Sequence, residues 1–166
     1  MPIIIKPMET VEEAKGQAYV HYHAWQETYA GLVDRSYLER MSLETSERYA
    51  LRAFQDGYYS TLVAKDGESV IGFAGYGPYR GTDLADTGEV YAIYTLKEYY
   101  DRGVGRALME AALKDLAAYS RACVWVLRGN ERAIRFYRRC GFFPDGVEKT
   151  LKLGTEVTEM RMIRAL

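Results

Sequence analysis

Apolar and polar positions recur along this chain with two different periods, and the switches between them mark out its elements. Ile3-Ile4-Ile5-Lys6 is a short strand closed by Pro7. Thr10-Val11-Glu12-Glu13 then reads as a capping box, the threonine reaching the Glu13 amide and Glu13 reaching back. The helix behind it places Ala14, Ala18, Tyr22, Trp25 and Tyr29 on one stripe before Gly31 ends it. A second helical segment covers 34–41. Ser42 caps a third, with Leu43, Ala50, Leu51 and Phe54 turned inward, and Asp56-Gly57 stops it. From Ser60 the period becomes two. Segments 60–64 and 69–77 are strands around Lys65-Asp66-Gly67-Glu68, an Asp-Gly hairpin whose two turn positions are both expected at positive φ.

After a Gly/Asp/Thr-rich loop over 78–88 come a strand (89–96), a helix (104–119), a strand (122–127) and a helix (130–140). Two final strands, 142–148 and 156–163, are joined near Leu153-Gly154-Thr155. This order predicts an α/β (α+β) sandwich: a central mixed, mostly antiparallel sheet with helices on both faces. Neither repeats nor linkers interrupt it, so 1–166 is expected to form one domain.

Composition narrows the function classes. With 22 basic and 23 acidic residues the net charge is −1, which argues against a nucleic-acid module, although 128–139 is locally basic. Hydrophobic residues make up 48% and charged ones 27%, as in ordinary globular proteins. The apolar start is too short for a signal peptide and no run nears the ~20 residues of a membrane span, so a cytoplasmic protein is expected. Cys123 and Cys140 have no metal-site spacing and read as buried thiols; no metal is expected. Tyrosine outnumbers phenylalanine by 15 to 5, which suits cleft edges where a ring packs and a hydroxyl bonds, or simply a half-buried surface.

Arg102-Gly103-Val104-Gly105-Arg106 follows a strand and opens a helix. Its glycines let a ligand approach the backbone, and the free amides of a first helical turn favour a phosphate. It is not a Walker loop, since Gly-Lys-Ser/Thr is absent. Nor is it a dinucleotide fingerprint, because Leu108 stands where a third glycine belongs.

Two blocks carry a resemblance to the GNAT superfamily of N-acetyltransferases. The first, 93–109, matches the family's Gln/Arg-x-x-Gly-x-Gly/Ala loop at both glycines, with Tyr100 in place of the leading Gln or Arg. The second, 125–142, resembles the family's strand, its Asn-x-x-Ala-x-x-Phe-Tyr helix (Asn130, Ala133, Phe136, Tyr137) and its Gly-Phe exit. His23-Ala24-Trp25-Gln26-Glu27-Thr28-Tyr29 resembles the first helix of many bacterial members.

The resemblance implies acetyl-CoA bound between a splayed pair of strands and direct transfer to an amine in a ternary complex. Ile93, Tyr94 and Thr95 would face the pantetheine arm from one side and Asn130, Ala133 and Phe136 from the other. Tyr100, Asp101, Arg102, Gly103, Val104, Gly105 and Arg106 would take the pyrophosphate. Tyr137 stands where the family keeps its general acid. The base is open between Glu89, acting through water, and His21 or His23; Trp25, Tyr29 and Glu89 would meet the acceptor. Asp34, Asp83, Asp86 and Glu89 favour a cationic small amine or polyamine. A peptide N-terminus, a non-catalytic acetyl-CoA-binding module and a nucleotide binder on the same glycine turn stay open. The family often pairs as homodimers.

Overall fold

The computed structural model describes residues 2–166. Its elements are β1 (Ile3–Pro7), α1 (Val11–Thr28), α2 (Arg35–Arg40), α3 (Leu43–Asp56), β2 (Ser60–Asp66), β3 (Ser69–Pro78), β4 (Thr87–Thr95), α4 (Val104–Asp115), β5 (Arg121–Leu127), α5 (Glu131–Arg139), β6 (Phe143–Leu153) and β7 (Thr155–Ala165). The strands form one sheet in the order β1-β2-β3-β4-β5-β7-β6. All neighbours are antiparallel except β4 and β5. This is the expected mixed, mostly antiparallel sheet of an α/β fold.

Alternation along the strands divides the core between two faces. Leu62, Ala64, Ile71, Val90, Val124, Val126 and Met162 face the side covered by α4 and α5, where Val104, Leu108, Met109, Tyr137 and Phe142 meet them. Val63, Val70 and Phe73 point to the other side, against Val20 of α1. A third cluster joins Val33 and Leu38 to Leu127, with Leu153 and Val157 packed beside them. It ties the α1–α2 connection to the far end of the sheet.

The capping box forms as read: Thr10 Oγ1 accepts from the Glu13 amide at 3.1 Å, and Glu13 Oε2 accepts from the Glu9 and Thr10 amides. The stripe behind it forms only in part, at Ala14 and Ala18. The buried residues of α1 are Glu13, Ala14, Gln17, Ala18, Val20 and Ala24, while Tyr22 and Trp25 are half-buried and Tyr29 is the C-cap. Apolarity misplaced this face because two polar residues are buried, Glu13 among them with Lys6 at 2.7 Å and Lys65 at 3.3 Å. In α3 only Ala50 is buried, while Leu43, Leu51 and Phe54 are half-covered. A cavity of about 690 Å3 lies along the α1–α3 contact, lined by Gln17, Ala18 and His21 on one side and Thr45, Tyr49 and Ala50 on the other.

The β2–β3 hairpin exists, but its turn is Gly67-Glu68, with positive φ at Gly67 and not at Asp66. Glycine at the first central position is the II′ pattern. Helix α4 ends at Asp115, four residues short of the expected end, and the last two strands run longer than their periodicity showed, around a tight turn at Gly154 with φ 80°. Among the described residues no helix is long and apolar enough to cross a membrane.

Candidate active site

β4 and β5 are parallel partners only over Thr87–Glu89, which face Arg121–Cys123. Beyond that point they separate. The cause is local: β4 carries a β-bulge at Tyr91, between the Val90 and Ala92 pairings with β3. A bulge leaves one residue unpaired and bends its strand. The Leu96 amide donates to the Ile71 carbonyl of β3, so by alternation Ala92 and Tyr94 bond towards β3. Ile93 and Thr95 then turn their backbone groups towards the gap left by β5.

The gap is a cleft of about 470 Å3. Of the residues read from the sequence, Ile93, Tyr94, Thr95, Tyr100, Asp101, Gly103, Val104, Gly105, Arg106, Asn130, Ala133, Phe136, Tyr137 and Tyr29 all line it. Arg102, Trp25, Glu89, His21 and His23 do not. Tyr91, Trp125, Arg132 and Cys140 line it as well. They carried no sequence signal, because which way each points depends on the bulge, on strand alternation and on where α5 ends. The larger cavity between α1 and α3 touches none of the glycine loop or α5.

At one end lies the N-terminus of α4. Gly103 is its cap at φ 79°, and no side chain caps the first turn, so its amides stay free. Asp101 is also left-handed, at φ 61°. A Cβ on Gly105 would come within 3.2 Å of Phe136, so α4 and α5 meet closely at the cleft wall. The Arg132 guanidinium lies 3.3 Å from the Tyr100 ring centroid, bringing a cation to the position where the motif lacks Gln or Arg. Arg102 stands 4.8 Å over Tyr99. Arg106 pairs with Glu110 at 2.9 Å.

Asn130 caps α5 through its side chain, accepting from the Ala133 amide at 3.2 Å. Tyr137 is 9% exposed, packed against Phe136 and Phe142. Among the described residues its hydroxyl makes no hydrogen bond within the protein. Burial, and then the charges of Tyr29, Cys140 and Glu159, push this phenol above its ordinary range and keep it protonated. Tyr94 and Tyr29 share a 2.9 Å hydrogen bond on the α1 side, and burial raises both.

Glu89 is 1% exposed; one oxygen accepts from the Arg80 amide at 3.1 Å and the other from its guanidinium at 2.6 Å. His21 is half-buried among Trp25, Phe73 and Tyr94, and burial lowers its pKa, away from a charged role. Asp83, from the 79–86 loop, does not face a vacant acceptor space: it pairs with the buried Arg161 at 2.7 Å, as does Asp145 at 2.6 Å. Cys123 is buried and its thiol is pushed up to about 12, first by burial. Cys140, expected buried, is half-exposed because the end of α5 faces the cleft. Among the described residues no His, Cys, Asp or Glu cluster is arranged to hold a metal ion.

Comparison with known proteins adds to this geometry. Residues 18–142 match the model of the Acetyltransferase (GNAT) family. The chain is 35% identical over 140 residues to the uncharacterized N-acetyltransferase YuaI of Bacillus subtilis, covering 79% of this chain and 78% of that protein. It is 34% identical over 116 residues to an uncharacterized N-acetyltransferase of Archaeoglobus fulgidus, covering 67% and 76%. In fold it superposes on PaiA N-acetyltransferase from Thermoplasma acidophilum in complex with coenzyme A, with TM-score 0.74, 22% identity and all of both chains covered. It also superposes on yncA from Salmonella typhimurium with its cofactor acetyl-CoA, with TM-score 0.73, 18% identity and 100% and 95% covered.

Proposed function

This chain belongs to the GNAT acetyltransferase family and is an acyltransferase, and from that premise we propose that it transfers the acetyl group of acetyl-CoA directly to the primary amine of a small amine or polyamine. The whole of 1–166 serves as one catalytic domain in this reading. The observation that carries it is the splay itself: a strand edge with unpaired backbone groups leads from a free helix N-terminus to a buried, protonated phenol.

The residues present fit acetyl-CoA. The backbone of Ile93 and Thr95 would hold the pantetheine arm, with Asn130, Ala133 and Phe136 opposite. The amides of 101–106, with Arg132, Arg102 and Arg106 nearby, would take the pyrophosphate. Acetyl-CoA supplies an activated acyl group whose leaving thiol has a pKa near that of cysteine, about 8.5. Tyr137 holds a proton at its hydroxyl and gives it to the departing sulfur. Tyr29 and Tyr94 wall the acceptor side.

An alkylammonium, with a pKa of about 10.4, must lose its proton before it attacks. Glu89 takes that proton by way of water, because it closes the foot of the splay without lining the cleft. Glu89→Gln is therefore expected to lower kcat/KM at pH 7 about tenfold, mainly in kcat, with CoA affinity within about twofold. A change confined to KM would make Glu89 only an anchor for Arg80.

Isothermal titration with acetyl-CoA, beside ATP, tests the whole reading. Saturable binding of acetyl-CoA alone, followed by CoA release with a panel of amines, is the expected result. Folded protein that binds neither, or acetylates a peptide N-terminus and no small amine, would overturn it.

A further inference from the structure

Beyond Trp125, which lines the cleft, β6 and β7 set an ammonium and a carboxylate that do not line the cleft themselves and that the transfer chemistry does not use. On β7, Met160 and Met162 belong to the core beneath α4, while Val157 packs with the α1–α2 connection. Alternation puts Glu159 on the Val157 side. The register sets Glu159 opposite Leu127 of β5 and opposite Lys149 of β6, and Trp125 lies two residues along from Leu127 on the same face. There the Lys149 ammonium stands 4.1 Å from the Trp125 ring centroid and 3.7 Å from Glu159 Oε2. Trp125 lines the cleft. An alkylammonium is thus held between an aromatic face and a carboxylate, the two groups that recognise such cations.

The arginines near this face are already held by carboxylates. Arg161, 5.7 Å from Trp125, is held by Asp145 and Asp83. Arg80 is held by Glu89. Among the described residues Lys149 is the only cation paired with Glu159. That pair is open to solvent, with the two side chains 46% and 23% exposed, so exchanging its cation costs little. Glu159 is also close enough to the reacting end for its charge to contribute to the raised pKa values of Tyr29 and Tyr137, after burial.

We propose that Trp125 and Glu159 form the seat for a second, distal ammonium of the acceptor, and that Lys149 fills it until a diamine or polyamine displaces it. This rests on the small-amine reading above and narrows it. One amine of the acceptor is acetylated while the other stays protonated in the seat, and a monoamine leaves Lys149 in place.

The test compares kcat/KM for diamines from 1,3-diaminopropane to 1,6-diaminohexane with that for the n-alkylamine of each length. Wild-type protein is expected to prefer diamines about tenfold, with an optimum length. In Glu159→Gln that ratio falls to about two, mostly through the diamine KM. In Lys149→Met, with the competing ammonium gone, diamine KM drops several-fold. An unchanged ratio in Glu159→Gln would overturn the seat. Should no small amine be acetylated at all, the parent reading fails, and the seat is judged by binding. In Trp25→Phe protein Trp125 is the one tryptophan left. A saturable fluorescence change with 1,5-diaminopentane that Glu159→Gln removes upholds the seat, and no saturable change refutes it.

Discussion

Tyr137→Phe is expected to lower kcat about 10²- to 10³-fold, while the Kd for acetyl-CoA moves by no more than about twofold. The substitution removes one oxygen and leaves the ring where Phe136 and Phe142 pack against it, 5.5 and 6.1 Å away between centroids. Because the hydroxyl has no hydrogen-bond partner in the protein among the described residues, nothing is orphaned by its loss. The Tm should stay within about 2 °C.

The pH profile gives an independent check. The phenol is raised by burial, with Tyr29, Cys140 and Glu159 adding to the shift. A raised acid stays protonated to higher pH. The wild-type kcat/KM should therefore show no downturn below about pH 10. A full-speed phenylalanine variant, or a wild-type downturn near pH 8 that the variant lacks, would take the acid role away from Tyr137's phenol as described.

What the sequence made legible depended on residues close together along the chain. The capping box at Thr10-Glu13 is a local hydrogen-bond pattern and forms as its spacing implies, and the glycine turn opens a helix where it was expected to. The order of helices and strands follows from periods of 3.6 and 2 for the same reason.

What stayed hidden is set by partners distant in sequence. The bulge at Tyr91 has no composition signature; it shows only in the register of β4 against β3. Yet it opens the cleft, and it separates Ile93 and Thr95, which face the gap, from Glu89, which is buried at its foot. Glu159 looks like any solvent-facing carboxylate of a final strand until β6 and β5 place Lys149 and Trp125 around it. The α1 face was misread because burial follows paired charge as well as apolarity, and the lysines that make Glu13 a buried residue come from β1 and β2. Asp83 was read as free to attract an amine when Arg161, 78 positions away, already holds it.

The glycine turn allows a graded test of the phosphate site. Gly103 sits at φ 79° as the cap of α4, a conformation open to glycine, costly for alanine and closed to proline. Alanine in a left-handed conformation costs roughly 1–2 kcal/mol, which the ligand-free loop can relieve by shifting and the bound loop cannot. Gly103→Ala is thus expected to weaken CoA binding about five- to twentyfold. Proline fixes φ near −65° and removes an amide as well, so Gly103→Pro should weaken it about 100-fold or more.

Neither change reaches the core. Val104, Leu108, Met109, Ala112 and Leu113 hold α4 to the sheet along its length. Circular dichroism should keep its helical signal, and titration with CoA then reports the loop alone. A phosphate-free fragment gives the control: pantetheine, which keeps the thiol arm but lacks the pyrophosphate and the nucleoside, should bind all three proteins with nearly equal and weak affinity. If the proline variant bound CoA as tightly as wild type, the amides of α4 would not be the pyrophosphate site. If pantetheine affinity fell in parallel with CoA affinity, the substitution would have closed the cleft itself, and the loss would say nothing about phosphate.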